Sequence, residues 1–291
     1  MPRLLIVDGH AYAYRAFHAI HALRSPTGAP TNGIYGFIKM LAKMRATLNP
    51  SHLLVVWDGG LSSERLTALP EYKAQRPPMP SDLAVQLDEL VAYLAAAGVS
   101  SYCGDGVEAD DYIAVVARRA ARAGWNVVIA SSDKDFMQLV SPRIGLLNPN
   151  DKTETVWTAD QVRAKAGVDP RQIVDWLALI GDSVDNIPGV PGVGPKTAAE
   201  LLNQFSSVQE LYAHLDTVRS DRLRAALQAA TEVVQRNVAL VRLPDELHCP
   251  IELDELAEKP ADTEALCELF RRWGFRSLLA QTETSRQEVL F

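Results

Sequence analysis

The chain has 291 residues, 47% of them hydrophobic and 22% charged, a composition that supports a full-sized core and excludes a disordered or fibrous chain. The length suits one large domain or two modest ones. The formal charge of −7, from 29 basic and 36 acidic residues, speaks against a nucleic-acid partner, because phosphate contacts need Lys and Arg, unless the acids are gathered in one place.

In chain order, the first apolar run, Leu4 to Val7, stops at Asp8, too short for a signal-peptide core or a membrane span. A soluble, unexported protein without a membrane partner is expected. The first half alternates short apolar runs (RLLIVD, HLLVVWD, NVVIASSD) with helical patterns (AYAYRAFHAI, AVQLDELVAYLAAAG, ADDYIAVVARRAARAG), which predicts a parallel sheet with crossover helices on both faces. Three of these runs lead into an aspartate, Asp8, Asp58 and Asp133, and in open α/β sheets the carboxyl ends of the strands form the ligand crevice. Between Trp57 and Ser81 the apolar periodicity is lost and Arg65, Lys73, Arg76 and four prolines accumulate, as in an exposed functional loop. From about Ala159 the pattern turns helical, with Gly and Pro between the segments. Cys103, Cys249 and Cys267 form neither a CxxC nor a zinc pattern, which fits a reducing, cytoplasmic setting.

Nine acids stand out: Asp8, Asp58, Glu108, Asp110, Asp111, Asp133, Asp135, Asp182 and Asp185. Singly, Asp110, Asp133 and Asp182 read equally well as caps or first-turn residues at a helix N-terminus, and Asp111 and Asp135 are weaker alone, since a second acid in a first turn is common and often solvated; Asp182 and Asp185, three apart, share a face if helical. Jointly they recur at one edge of one sheet, which independent caps have no reason to do. Two carboxylates about 5 Å apart repel by about 3 kcal/mol at an effective dielectric near 20, so a group of them needs protons or cations. Oxygen-only ligation selects hard ions such as Mg²⁺ or Mn²⁺, which also bind phosphate. With these nine set aside, 27 acids remain against 29 basic residues, and the objection from net charge lapses.

The segments LLIVDGHAYAYRAF, VVWD, YKAQRPPMP, GVEADD, SSDKDFMQL and GDSVDNIPGVPGVGPKTAAELL, in this order, strongly resemble the flap endonuclease-like 5′ nucleases, in particular the 5′ to 3′ exonuclease domain of bacterial DNA polymerase I and its free-standing relatives. The resemblance covers nearly the whole chain. It implies a PIN-like α/β core over residues 1–158, with a basic arch at 59–81, then a helical DNA-binding region over 159–285 carrying a helix-three-turn-helix at 186–202. The terminal EVLF resembles part of a viral protease recognition site, and residues 286–291 are set aside as a remnant of it.

Carried over residue by residue, the resemblance places Asp8, Asp58, Glu108, Asp110 and Asp111 at one divalent metal and Asp133, Asp135, Asp182 and Asp185 at a second. Which acids act directly and which through water stays open. Lys73 and Arg76 match the arch cations over the scissile phosphate, and Tyr14 matches a tyrosine that stacks on a base, with Phe17 the core aromatic of the same helix. Arg65 falls where the chain departs from the family pattern, in DGGLSSERL. The run from Gly189 to Thr197 nearly spells a phosphate-binding P-loop, but Pro195 intrudes and the expected preceding strand is absent. The resemblance reads it as a helix-hairpin-helix variant in which Gly192, Gly194, Lys196 and Thr197 hold a DNA phosphate, with a K⁺ ion at that motif. The implied protein is a monomeric, metal-dependent 5′ nuclease acting on branched or 5′-flap DNA and on RNA primers annealed to DNA, associated with a bacterial nucleoid. Two alternatives stand beside it: a non-catalytic junction-binding module using the 189–197 run and Arg219, Arg222 and Arg224, and a PIN-type ribonuclease. A free-standing enzyme and a fragment of a polymerase would look the same in these residues.

Overall fold

A computed structural model describes residues 1–151, 153 and 155–289. Six strands, β1 (Arg3–Asp8), β2 (His52–Trp57), β3 (Ser100–Cys103), β4 (Asn126–Ala130), β5 (Ile144–Leu147) and β6 (Val156–Trp157), form one sheet in the order β3-β2-β1-β4-β5-β6. All neighbours pair in parallel except β5 with β6. Leu4 to Val7 are fully buried because both faces are covered: Leu4 and Ile6 enter one core, Leu5 and Val7 the other. A strand with two buried faces reads as an unbroken apolar run, as the sequence does here.

The crossover helices follow the predicted pattern. Helices α1 (Gly9–Ala19) and α2 (Asn32–Leu48) pack on the Leu5–Val7 face; after the short α3 (Ser63–Ala68), α4 (Ser81–Ala96) joins them, whereas α5 (Ala109–Arg122) covers the opposite face. Segment 59–81 differs from the expected exposed loop. Leu69 and Tyr72 are buried in the α5 core and Arg65 and Lys73 are less than 10% exposed, because the two cations are drawn inward to acids. The region around Lys73 and Arg76 is a turn with Lys73 in the left-handed region (φ 56°), so the two do not share a helix face.

Beyond residue 158 come α6 (Ala159–Ala166) and α7 (Ile173–Ile180), then a two-stranded hairpin of β7 (Gly181–Asp182) and β8 (Ile187–Pro188). Asp182 and Asp185 therefore sit on a hairpin and not on a helix. Then follow α8 (Pro195–Phe205), α9 (Val208–Ala213), α10 (Asp221–Ala229) and α11 (Thr231–Val241), whose apolar faces share one continuous core with α5 and the sheet. Helices α12 (Thr263–Trp273) and α13 (Arg276–Val289) return to the other face of the sheet, where Phe270, Trp273 and Phe275 pack with α2 and α4 residues. Of the residues set aside as a remnant, 286–289 continue α13, while 290 and 291 lie outside the described residues. No described helix is long and apolar enough to cross a membrane.

Candidate active site

Strand order reverses at β1, so the crevice expected of an open α/β sheet lies beyond the carboxyl ends of β1 and β4. Asp8 ends β1 and caps α1, one carboxylate oxygen accepting from Ala11 N at 3.0 Å. Its other oxygen accepts from the Ser131 hydroxyl at 2.7 Å, and that hydroxyl in turn accepts from Asp133 N at 3.1 Å. Ser131 is fully buried and ties the two strand ends together. Asp133 caps the 3₁₀ turn Lys134–Leu139, accepting from Asp135 N at 2.9 Å. Asp182 accepts from Val184 N at 2.9 Å. The capping and clustering readings of these acids thus hold together: one oxygen caps, and the carboxylate still reaches the cleft.

Asp58, just past β2, is oriented from both sides: Ala109 N donates to its carboxylate at 2.8 Å, and its own N–H donates to His10 Nδ1 at 3.1 Å. The result is a cleft of about 990 Å³ whose wall carries Asp8, Asp58, Asp110, Asp133, Asp182 and Asp185. Three of the nine singled-out acids are not on that wall. Glu108 is 1% exposed and lies between the Lys73 ammonium and the Arg65 guanidinium, with Tyr72 Oη at 3.1 Å. Asp111 is held by a two-toothed Arg65 fork at 2.6 and 3.0 Å. Adjacent helix residues point about 100° apart, so the first turn of α5 sends Asp110 to the cleft and Asp111 to Arg65. Asp135 keeps a buried Oδ1 without a hydrogen-bond partner.

The charge is not balanced where it is densest. Burial, against the Ala11 and Ser131 hydrogen bonds and with added repulsion from Asp58 and Asp133, pushes Asp8 from the ordinary 3.8 up to about 6. Burial, with the neighbouring carboxylates, also raises Asp110 and Asp135 well above the ordinary range, and Asp133 above it. Burial would raise Glu108 too, but Lys73 and Arg65 hold it below its usual value. Among the described residues no three His, Cys, Asp or Glu side chains are already drawn round one ion-sized point. The donor set nonetheless fits hard divalent cations: carboxylate oxygens on a wide wall, an orphaned buried oxygen on Asp135, and acids whose ionisation lacks compensation.

The remaining predicted site residues fall into two groups. Lys73, Arg76 and Tyr14 line the same cleft as the acids. Arg76 reaches Asp185 at 2.6 Å and Lys73 N–H donates to the Asp185 carbonyl at 3.0 Å, so the arch is fastened to the hairpin. Tyr14 is half-buried and lies nearly parallel to the His18 ring, 6.4 Å between centroids; Phe17 packs against the core. Gly192, Gly194, Lys196 and Thr197 lie away from this cleft, at the start of α8. A Cβ at Gly192 or Gly194 would meet nothing within 4 Å, and Lys196 is exposed. Arg224, by contrast, bonds the nearby Val218 carbonyl and Asp221. Sequence reasoning missed Ser131, Tyr72, His10 and Lys134, the last 3.1 Å from Asp182. Ser131 alone carried a sequence signal, lying directly between a strand and a singled-out acid.

Comparisons with known proteins identify the family and the fold. Residues 3–167 match the family described as 5′-3′ exonuclease, N-terminal resolvase-like domain, and residues 168–264 match 5′-3′ exonuclease, C-terminal SAM fold. The chain is 37% identical to the 5′-3′ exonuclease of Aquifex aeolicus, over 97% of this chain and 96% of that one. It is 41% identical to DNA polymerase I of Pseudomonas aeruginosa over 95% of this chain, and 37% identical to that of Bacillus caldotenax over 98%. Of these two polymerases it spans 31% and 33%, about a third of their length. Among solved structures, T5 5′-exonuclease with zinc bound superposes with a TM-score of 0.69 at 23% identity, covering 98% of each chain. The catalytic core of Rad2 in complex with DNA substrate gives 0.65 at 16%, covering 97% of this chain and 92% of that one; both share the fold. By both halves of its sequence and by its full-length relative, the chain belongs to the 5′-3′ exonuclease family.

Proposed function

We propose that this protein is a structure-specific, metal-dependent 5′ nuclease that hydrolyses phosphodiesters in 5′ flaps and RNA primers and degrades from 5′ ends, leaving 5′ phosphates. The observation that carries the reading is the convergence of six carboxylates from five chain segments on one cleft, faced by Lys73 and Arg76. Two divalent ions, Mg²⁺ or Mn²⁺, when bound there supply charge neutralisation, a water of lowered pKa and stabilisation of the leaving 3′ oxygen. The nine singled-out acids are assigned to that task in different ways. Asp8, Asp58, Asp110, Asp133, Asp182 and Asp185 present oxygens to the cleft, Asp135 stands behind Asp133 with an orphaned oxygen, and Glu108 and Asp111 hold Lys73 and Arg65 in place.

The other residues bind and orient. Lys73 and Arg76 meet the scissile phosphate from the arch, Arg76 with a planar fork and Lys73 as a point charge. Tyr14 stacks on the neighbouring base, a contact worth about 1–3 kcal/mol and tolerant of sequence. The open backbone at Gly192 and Gly194, with Lys196 and Thr197 at the first turn of α8, grips duplex phosphates, a K⁺ ion assisting. The T5 relative binds metal ions and the Rad2 core binds DNA substrate on this same fold, which supports both assignments. We assign the activity to a monomer working at the bacterial nucleoid.

The test is cleavage of an end-labelled 5′-flap duplex in Mg²⁺, in Mn²⁺ and in EDTA, beside a single-stranded control. The expected result is metal-dependent cutting near the flap junction with little cutting of the control. Binding without cutting under every condition would replace this reading with a junction-binding module.

A further inference from the structure

The last carbonyls of a helix have no partners within it, and α11 ends at Arg242 in extended backbone (φ −73°, ψ 121°). Two of those carbonyls are taken by side chains from the other half of the chain. Arg65 Nε donates to Leu240 O at 3.0 Å, and Gln138 Nε2 donates to Val241 O at 3.0 Å, while Gln138 Oε1 accepts from Leu243 N at 3.0 Å. Both side chains also reach the acid-bearing segments. Arg65, 9% exposed, continues into its fork on Asp111 and its contact with Glu108. Gln138 also donates to the carbonyl of Asp135, on the same 3₁₀ turn. One turn earlier on α11, Asn237, fully buried, donates to Ala178 O at 3.1 Å and to Pro188 O at 2.7 Å, which fastens the foot of the hairpin carrying Asp182 and Asp185.

We propose that the C-terminal end of α11 sets the spacing of the metal-binding acids, with Arg65, Gln138 and Asn237 as positioning residues that transmit it. Three acid-bearing segments, the start of α5, the 3₁₀ turn and the β7–β8 hairpin, are each referred to this one helix end. Crowded carboxylates repel and drift apart unless the backbone beneath them is held, and ion affinity depends on how closely their oxygens are preset. Arg65 serves twice, since its charge also offsets that of the buried Glu108 and Asp111. The arrangement joins the helical half to the acid cleft through hydrogen bonds whose donors and acceptors are individually identified. The inference rests on the metal-dependent reading above.

The test is calorimetric titration of Mn²⁺ into the metal-free full chain, without DNA, together with thermal melts. The variants are Gln138→Leu, which removes the three amide bonds without altering a charge, and Arg65→Lys, which keeps a cation beside Asp111 and removes the fork. Each is expected to weaken Mn²⁺ binding by about tenfold, the size usual for losing a residue that orients ligands, with the half-saturating Mn²⁺ for cleavage shifted by the same factor and kcat recovered at high Mn²⁺. Lowered melting temperatures with unchanged Mn²⁺ affinity would make these bonds merely structural and overturn the inference alone. A parent protein that takes up no Mn²⁺ would overturn the metal-dependent reading as well. If Arg65→Lys fails to fold, Gln138→Leu decides the question by itself.

Discussion

Asp8 condenses the chemistry of the cleft into one side chain. It caps α1, accepts the Ser131 hydroxyl and faces the acid-lined wall, and burial lifts it from 3.8 to about 6. Between those values the folded chain keeps a proton that the unfolded chain has released, so stability falls as pH rises through that window, by up to about 3 kcal/mol for this group. Glu108 acts in the opposite direction: Lys73 and Arg65 depress it, so its contribution is complete above its ordinary value and is lost only as pH falls below that. Together they predict that chelated protein melts highest near pH 4.5, the ordinary value of Glu108, and lower at about pH 8. Saturating Mg²⁺, which binds the ionised form, should raise the melting temperature far more at the higher pH. Scanning calorimetry with EDTA and with Mg²⁺ across this range checks it; a pH-independent Mg²⁺ effect would contradict the assignment.

Among the elements, the β7–β8 hairpin shows how backbone packing places a charged turn. Gly189 lies so close to the end of α7 that an added Cβ would sit 2.2 Å from Ile180 O, and a Cβ added at Gly181 (φ +73°) would sit 2.4 Å from Gly189 N and Ile187 O. These two glycines close the foot of the hairpin, leaving Asp182 and Asp185 at its far end beside Lys134 and Arg76. Gly194→Ala, in open space at a negative φ, should leave stability unchanged within about 0.5 kcal/mol but weaken duplex binding, because its new methyl stands where a phosphate would approach. Gly189→Ala should destabilise by about 2 kcal/mol or more, since the clash is with backbone that cannot move aside. Urea denaturation and fluorescence anisotropy on duplex DNA distinguish the two. Equal effects of both substitutions on both measurements would refute the division between a packing glycine and a contact glycine.

At the scale of the whole molecule, a parallel sheet and a mostly helical half share one core, and the acids lie where the two meet. Much of this was legible along the chain, because doubly covered strands such as Leu4–Val7 must be continuous apolar runs and because Asp8, Asp58 and Asp133 follow strand ends. The hairpin was not legible, because the GDSVDN run has no apolar periodicity to separate strand from helix. The arch was read as exposed because the partners that bury Arg65 and Lys73, namely Glu108 and Asp111, lie 35 to 46 residues away. Gln138 and Asn237 were invisible for the same reason: a buried amide is specified by the carbonyls and N–H groups it meets, which only folding assembles.

The central claim is that the cleft-lining carboxylates are a two-ion site. It is tested most directly by anomalous diffraction from crystals of the full chain soaked in MnCl₂. The account predicts two manganese peaks in the cleft, with direct ligands drawn from Asp8, Asp58, Asp110, Asp133, Asp182 and Asp185, and with Glu108 and Asp111 still on Lys73 and Arg65. A cleft without manganese while the ion binds elsewhere, or carboxylates that keep their lysine and arginine partners at saturating Mn²⁺ with no ion between them, would contradict it.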